Sequence, residues 1–208
     1  PDIGILAMKI APITLVALFT FAQTSFAESV ERIASAGGAV TEILFELGMG
    51  DNVVAVDSTS IYPEPVGDLP SLGYVRELSA EGVLATGADV LIGAHDMGPP
   101  AVMDNLAATG MRIEYVPEGQ GPARYVERVE FIAGVVDKED RGAELIASYT
   151  DRIDALQVRR AKMERTPRAL LILAVRDGAP IAAGAETTGH DMIEIAGGEN
   201  VATFEGWK

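Results

Sequence analysis

Apolar positions recur along this chain with two spacings, and the switching between them sets the expected architecture. Short apolar runs at 32–35, 52–56, 89–94 ("DVLIGA") and 112–116 ("RIEYV") read as strands, the third as a buried parallel one. Between them, Val40, Ile43, Leu44 and Leu47 fall at helical spacing within 39–47, ahead of Gly48. Ser79 is placed to cap a helix through Leu84, with Glu81 in its first turn, and 100–108 reads as a helix closed by Gly110. Strands alternating with helices predict an open, mostly parallel α/β sheet.

The pattern then turns helical. Residues 123–136 form one expected helix. From Lys138 to about Glu164 there is no proline and only Gly142 among glycines, so a second helix of roughly 25 residues is expected, close to 38 Å long. That length suits a strut between two lobes. Strand character returns at 168–175 ("RALLILAV") and, after a "DGAP" turn, at 181–184, followed by a helix over 188–196. An internal echo at an offset of 148 supports related lobes: "ELGMGDNV" (46–53) matches "EIAGGENV" (194–201). The expected organisation is a leader over 1–27, an α/β lobe over 28–122, a helical segment over 123–165 and a partial second lobe over 166–208. The second unit is much shorter than the first, which predicts a chain truncated at its C-terminus.

Composition narrows the function. With 48% hydrophobic and 23% charged residues the chain is of ordinary globular type. A net charge of −15 argues against nucleic acid or anionic lipid as a partner, and the cluster Arg159, Arg160, Lys162 and Arg165 reads as a solvated helix face. There is no cysteine, which excludes disulfides, thiolate metal sites, thiol nucleophiles and a lipidated N-terminal cysteine. Met8 and Lys9, the apolar run over 10–22, and Ser25-Phe26-Ala27 have the order of an export signal over about 8–27. The run is too short for a bilayer span, so the mature protein is expected to start near Glu28, in the periplasm, without stable membrane insertion. No catalytic motif is complete: "AGGAV" (36–40) lacks the dinucleotide fingerprint and the P-loop lysine, and there is no G-x-S-x-G elbow.

Four stretches carry a more specific likeness. "RIASAGGAVTEILFELGMGDNVVAVDSTSIYP", "LPSLGYVRELSAEGVLATGADVLIG", "GPPAVMDNLAATG" and "GGENVA" together resemble the substrate-binding proteins of ABC importers for metal chelates, over about residues 31–205. The second string is closest to the haem-binding branch of that family. The resemblance implies two Rossmann-like lobes joined by one long helix with little closure on binding. It also implies a periplasmic protein that is not an enzyme, haem as the carried ligand, and an ABC permease as partner, with an outer-membrane haem receptor upstream.

In that branch the tyrosine of the string ligates haem iron and the nearby arginine assists it, which carries over to Tyr74 and Arg76. In an extended segment the i, i+2 spacing puts both side chains on one face. Tyrosinate is a hard anionic donor suited to ferric iron. By the same resemblance Glu81 contacts the permease, although helix-dipole stabilisation explains a glutamate there as well. His95 is a candidate second ligand or propionate contact, against the plainer reading of an ordinary polar residue, since a lone histidine satisfies no metal-ligand pattern. Met97 is a candidate soft ligand, against the commoner role of gap-filling bulk. His190 reads as a capping or packing residue. A corrinoid or ferric-siderophore carrier on the same scaffold, or a small α/β enzyme, are the alternatives.

Overall fold

A computed structural model of the chain describes residues 32–119 and 121–208. The expected export signal lies outside them. Four short apolar runs, β1 (Ile33–Ala36), β2 (Val53–Val56), β3 (Val90–Ala94) and β4 (Arg112–Val116), pair in parallel in the order β2-β1-β3-β4. Side chains alternate across a strand, and β1 serves two cores. Ile33, with Val53, Val90 and Ile92, packs under α1 (Gly38–Glu46), α4 (Ala123–Val135) and the start of α5 (Glu139–Arg160). Ala34 and Ala36, with Ala55 and Leu91, pack under α2 (Ala80–Ala85) and α3 (Pro100–Ala108). The helical spacing of Val40, Ile43 and Leu44 buries all three, each contributing about 1.5–3 kcal/mol of burial. At α2, the Ser79 hydroxyl accepts the Gly82 N–H at 3.0 Å, as the sequence pattern expects.

Helix α5 spans 22 residues, about 33 Å at 1.5 Å per residue. Glu139 and Asp140 open it and Arg159 and Arg160 close it, matching the helix dipole at both ends. It stops four residues short of the expected end, in tight turns in which Lys162 and Met163 donate to the carbonyls of Arg159 and Arg160. The Met163 and Arg160 side chains turn over Gly197 at the end of α6 (Thr188–Ile195).

The second α/β unit departs from expectation at 168–175. That apolar run is not one strand but two, divided at Leu170 and Leu171. β5 (Arg168–Ala169) runs parallel to β8 (Glu199–Asn200), while β6 (Ile172–Arg176) pairs antiparallel with β7 (Ala179–Ala182). The β6–β7 turn is Asp177-Gly178, both at positive φ (51 and 80), the geometry a two-residue hairpin requires. Pro180 therefore sits inside a strand rather than in the turn, and it opposes Val175. β6 presents Ile172, Leu173 and Val175 to solvent.

The internal echo has a structural basis, shifted by one residue. After α1, Gly48 takes φ +80 and Met49 N–H donates to Leu44 O. After α6, Gly197 takes φ +85 and Gly198 N–H donates to Ile193 O. Both are helix stops with a left-handed glycine, spaced by 149 rather than 148. The first unit then inserts a short turn (Gly50–Asn52) before its next strand.

Candidate functional site

The chain passes from β1 to β2 on one side and then crosses back to β3 on the other side of β1, so the direction of winding reverses between β1 and β3. Ligands of open α/β sheets sit outside the carboxyl ends of the strands at such a point. A recess of about 300 Å³ lies there, walled by Gly37 and Gly38 after β1, Thr59 after β2, Ala94 and Asp96 at the end of β3, and Val116 of β4. Tyr74, Arg76 and, from α4, Arg128 complete it. The volume is at the lower end for small-ligand sites.

Two glycines expose backbone on the floor, where a side chain would be crowded. A Cβ on Gly37, at φ +115, would lie 3.2 Å from Ala94 Cβ, and one on Gly38 would lie 3.0 Å from the Thr59 carbonyl oxygen. Asp57 fixes this floor from below. Its buried carboxylate accepts from Gly37 N–H (2.7 Å), Ser60 Oγ (2.8 Å), Thr59 N–H (2.9 Å) and Thr59 Oγ1 (2.6 Å). Hydroxyl contacts of 2.7 Å continue from Ser60 to Thr41 and from Thr41 to Ser35. The negative charge at the start of α1 also suits its dipole.

The rim follows from the pattern at 72–78. Leu72, Val75 and Leu78 are buried, while Tyr74 and Arg76 are exposed and both line the recess. Glu77 N–H donates to Tyr74 O at 2.8 Å, so a turn, and not the expected extended segment, brings the two side chains together. Val75 O accepts from Gly98 N–H and Gly98 O accepts from Leu78 N–H, tying this loop to the one after β3. Tyr74 is 41% exposed. Arg76 donates through Nε to Asp96 Oδ2 at 2.7 Å and through Nη2 to the same oxygen. The hydrogen bond and the charge of Asp96, with a smaller part from Tyr74, raise the Arg76 pKa above its ordinary value.

Arg128 enters from below. Its Nε donates to Pro117 O at 3.1 Å and its Nη2 to Glu118 O at 2.9 Å. Desolvation, then repulsion from Arg124, lower its pKa from the ordinary guanidinium value, while Glu118 and Asp96 act in the opposite sense.

The other expected residues lie elsewhere. His95 turns its Nε2 to Glu118 Oε2 at 3.6 Å, and its side chain is not among those walling the recess. Met97 is buried in the core beside α2 and α3, with its sulfur where a Gly93 Cβ would stand, a packing position. Glu81 is exposed on the first turn of α2, away from the recess. His190 N–H donates to the Thr187 hydroxyl that caps α6, and its Nδ1 lies 3.3 Å from Asn200 Nδ2. Asp57, Asp96 and Arg128 are the site residues that sequence reasoning missed. Among the described residues no group of three or more His, Asp or Glu side chains is placed to hold a metal ion, and no helix is long and apolar enough to cross a membrane.

A second recess of about 350 Å³ opens between the two units, sharing Ala39 and Arg128 with the first. The Tyr125 and Tyr149 rings, 4.5 Å apart, line it, together with Thr188, Asp191 and Met192 of α6. At its edge Arg124 donates to Thr188 Oγ1 at 2.5 Å and pairs with Asp191 at 3.4 Å, and Gly121 N–H reaches the same Asp191 oxygen at 3.1 Å.

Residues 33–207 match the family described as periplasmic binding protein. The chain belongs to that family. Among solved periplasmic binding proteins, the periplasmic heme-binding protein RhuT from Roseiflexus sp. RS-1, in apo form, is similar to it at 33% identity and a TM-score of 0.81. That likeness covers 86% of this chain and 70% of the other. A periplasmic heme-binding protein from Pseudomonas aeruginosa is similar at 33% identity and a TM-score of 0.80, covering 86% and 65%. A curated relative, the vitamin B12-binding protein of Vibrio parahaemolyticus, is 24% identical over 184 residues, 88% of this chain and 66% of that protein. The chain thus spans about two thirds of the length of such relatives, whose names give ligands of two kinds.

Proposed function

We propose that this chain is the substrate-binding component of an ABC importer, that it carries no enzymatic activity, and that its substrate is ferric haem. The observation that carries this reading is Tyr74 and Arg76 standing together on the rim of the recess at the sheet's reversal point. The named haem-binding neighbours are also more similar in sequence than the named B12-binding one.

Tyr74 is the iron ligand in this reading. A free phenol titrates near pH 10, so ionising one at pH 7 costs about 4 kcal/mol. A screened guanidinium nearby returns about 1 kcal/mol, and Arg76 shares its charge with Asp96. Bonding to the ferric ion must therefore supply most of the cost, which restricts the site to a strongly Lewis-acidic metal. One edge of the porphyrin enters the recess against the glycine floor. Glu81, exposed on α2, is the contact for the permease, and the protein works in the periplasm, supplied by an outer-membrane haem receptor. The vitamin B12-binding relatives favour a second reading, a corrinoid carrier, whose ligand needs no tyrosinate.

Titration with hemin, followed by visible absorption, tests this with Tyr74→Ala in parallel. The parent is expected to saturate with a phenolate-to-iron charge-transfer band that the variant lacks. Cyanocobalamin binding without hemin binding would instead establish the corrinoid reading. Hemin binding with the band retained in the variant would refute Tyr74 as ligand.

A further inference from the structure

Of the arginines lining the two recesses, Arg76 is paired with Asp96 and Arg124 with Asp191, and Arg152 is in solvent. Arg128 differs from all of these. It is half-buried, and among the described residues no carboxylate lies within ion-pair distance of it. Its two hydrogen bonds go to backbone carbonyls, which orient the guanidinium without neutralising it. A guanidinium has five N–H donors, so three remain for a ligand. Asp96 and Glu118 act on it only from beyond ion-pair distance, and holding a cation partly out of water without a direct partner is costly. The position is that of a group kept free for an incoming anion.

Building on the haem reading, we propose that Arg128 is the carboxylate-recognising residue of the recess, the group that distinguishes a porphyrin dicarboxylate from a ligand with neutral amide side chains. The two candidate ligands differ in this respect. Haem ends in two propionates on the ring edge, whereas the ring side chains of a corrinoid are carboxamides, which cannot neutralise a guanidinium, and its one anion is the phosphodiester of the nucleotide loop, away from the ring edge. A charged hydrogen-bonded pair in such a site is worth about tenfold to a hundredfold in affinity. Arg128 therefore supplies selection by charge, separate from the bond that Tyr74 makes to the metal.

The test compares hemin with hemin dimethyl ester, which keeps the iron and ring but has no carboxylate, on the parent, Arg128→Gln and Arg128→Lys. The parent is expected to prefer hemin by at least about tenfold. Arg128→Gln should lose that preference by weakening hemin alone, with ester affinity and the charge-transfer band unchanged. Arg128→Lys, which keeps the charge but not the fork of donors, should show an intermediate preference. Should Arg128→Gln fail to fold by circular dichroism, Arg128→Met, which also removes the charge, decides, and an undiminished preference there overturns the proposal. A parent that binds hemin through Tyr74 but does not distinguish the ester overturns Arg128's role alone. A parent that binds neither porphyrin overturns the haem reading, and this proposal with it.

Discussion

Arg76 donates two hydrogen bonds to a single oxygen of Asp96, so the guanidinium flanking Tyr74 is already partnered when a ligand arrives. On the proposed haem reading, Asp96 tempers the help that Arg76 would give to a tyrosinate at Tyr74. Asp96→Asn removes the competing charge and leaves Arg76 to act on Tyr74 alone. Ferric haem affinity is expected to rise by up to about fivefold, the scale of an exposed ion pair. The charge-transfer band should also persist to lower pH than in the parent. A band lost at higher pH in the variant would show that Asp96 assists the tyrosinate instead.

Asp57 is buried with four donors directed at its carboxylate. Asp57→Ala leaves Gly37 N–H and the Ser60 hydroxyl without this acceptor, at a cost of about 3 kcal/mol. For a chain of this size that is a fall in melting temperature of roughly 6–12 °C. Thermal unfolding by circular dichroism measures it, and a loss under about 2 °C would contradict the role.

Helices α4 and α5 approach closely where Gly142 meets Ala133, and a Cβ on Gly142 would stand 2.8 Å from that of Ala133. Alanine is the better helix former by about 1 kcal/mol, yet overpacking costs about 1–3 kcal/mol. Gly142→Ala is therefore expected to lower stability. Adding Ala133→Gly should recover most of the loss, and denaturant unfolding of the four-member cycle reads the coupling. Additive effects would mean that the helices separate freely.

Burial, with Glu46 adding to it at Tyr125, raises the pKa of Tyr125 and Tyr149 above the ordinary phenol value. The folded state thus favours the neutral phenols. Their contribution is fully present below about pH 10 and is lost as pH rises through the folded-state values. Stability should fall with pH in that alkaline range, and the double variant Tyr125→Phe, Tyr149→Phe should fall less steeply. Equal slopes would place the alkaline loss elsewhere.

What could be read in advance follows from how local each signal is. The first α/β unit was legible because strands such as Val90–Ala94 and helices such as Pro100–Ala108 carry their own periodicity and stop signals. The break between β5 and β6 was not, since "RALLILAV" is apolar throughout and only the partners, β8 and β7, divide it. In the site, Tyr74 and Arg76 are exposed on either side of buried Val75, but a turn closed by Glu77 N–H to Tyr74 O, and not the extended spacing, brings them to one recess. Asp96 and Arg128 join them only through the fold, 20 residues from Arg76 in one case and from a different element in the other. A signal for Arg128 did exist: it adjoins Val129 on the helix whose apolar stripe continues through Ile132 and Ala133. A charge at the margin of such a stripe is held near the core.

The glycine floor also bears on how this protein can change over generations. Side chains at Gly37, held at φ +115, and at Gly38 would crowd Ala94 and the Thr59 backbone, so substitutions there strain the ends of β1 and β3 as well as alter the recess. Heritable variation in what the recess accepts is confined to its rim, where Tyr74, Arg76, Asp96 and Arg128 can be exchanged without disturbing the sheet beneath. Descendants of this chain that take different ligands should therefore differ at those four positions while sharing the same floor.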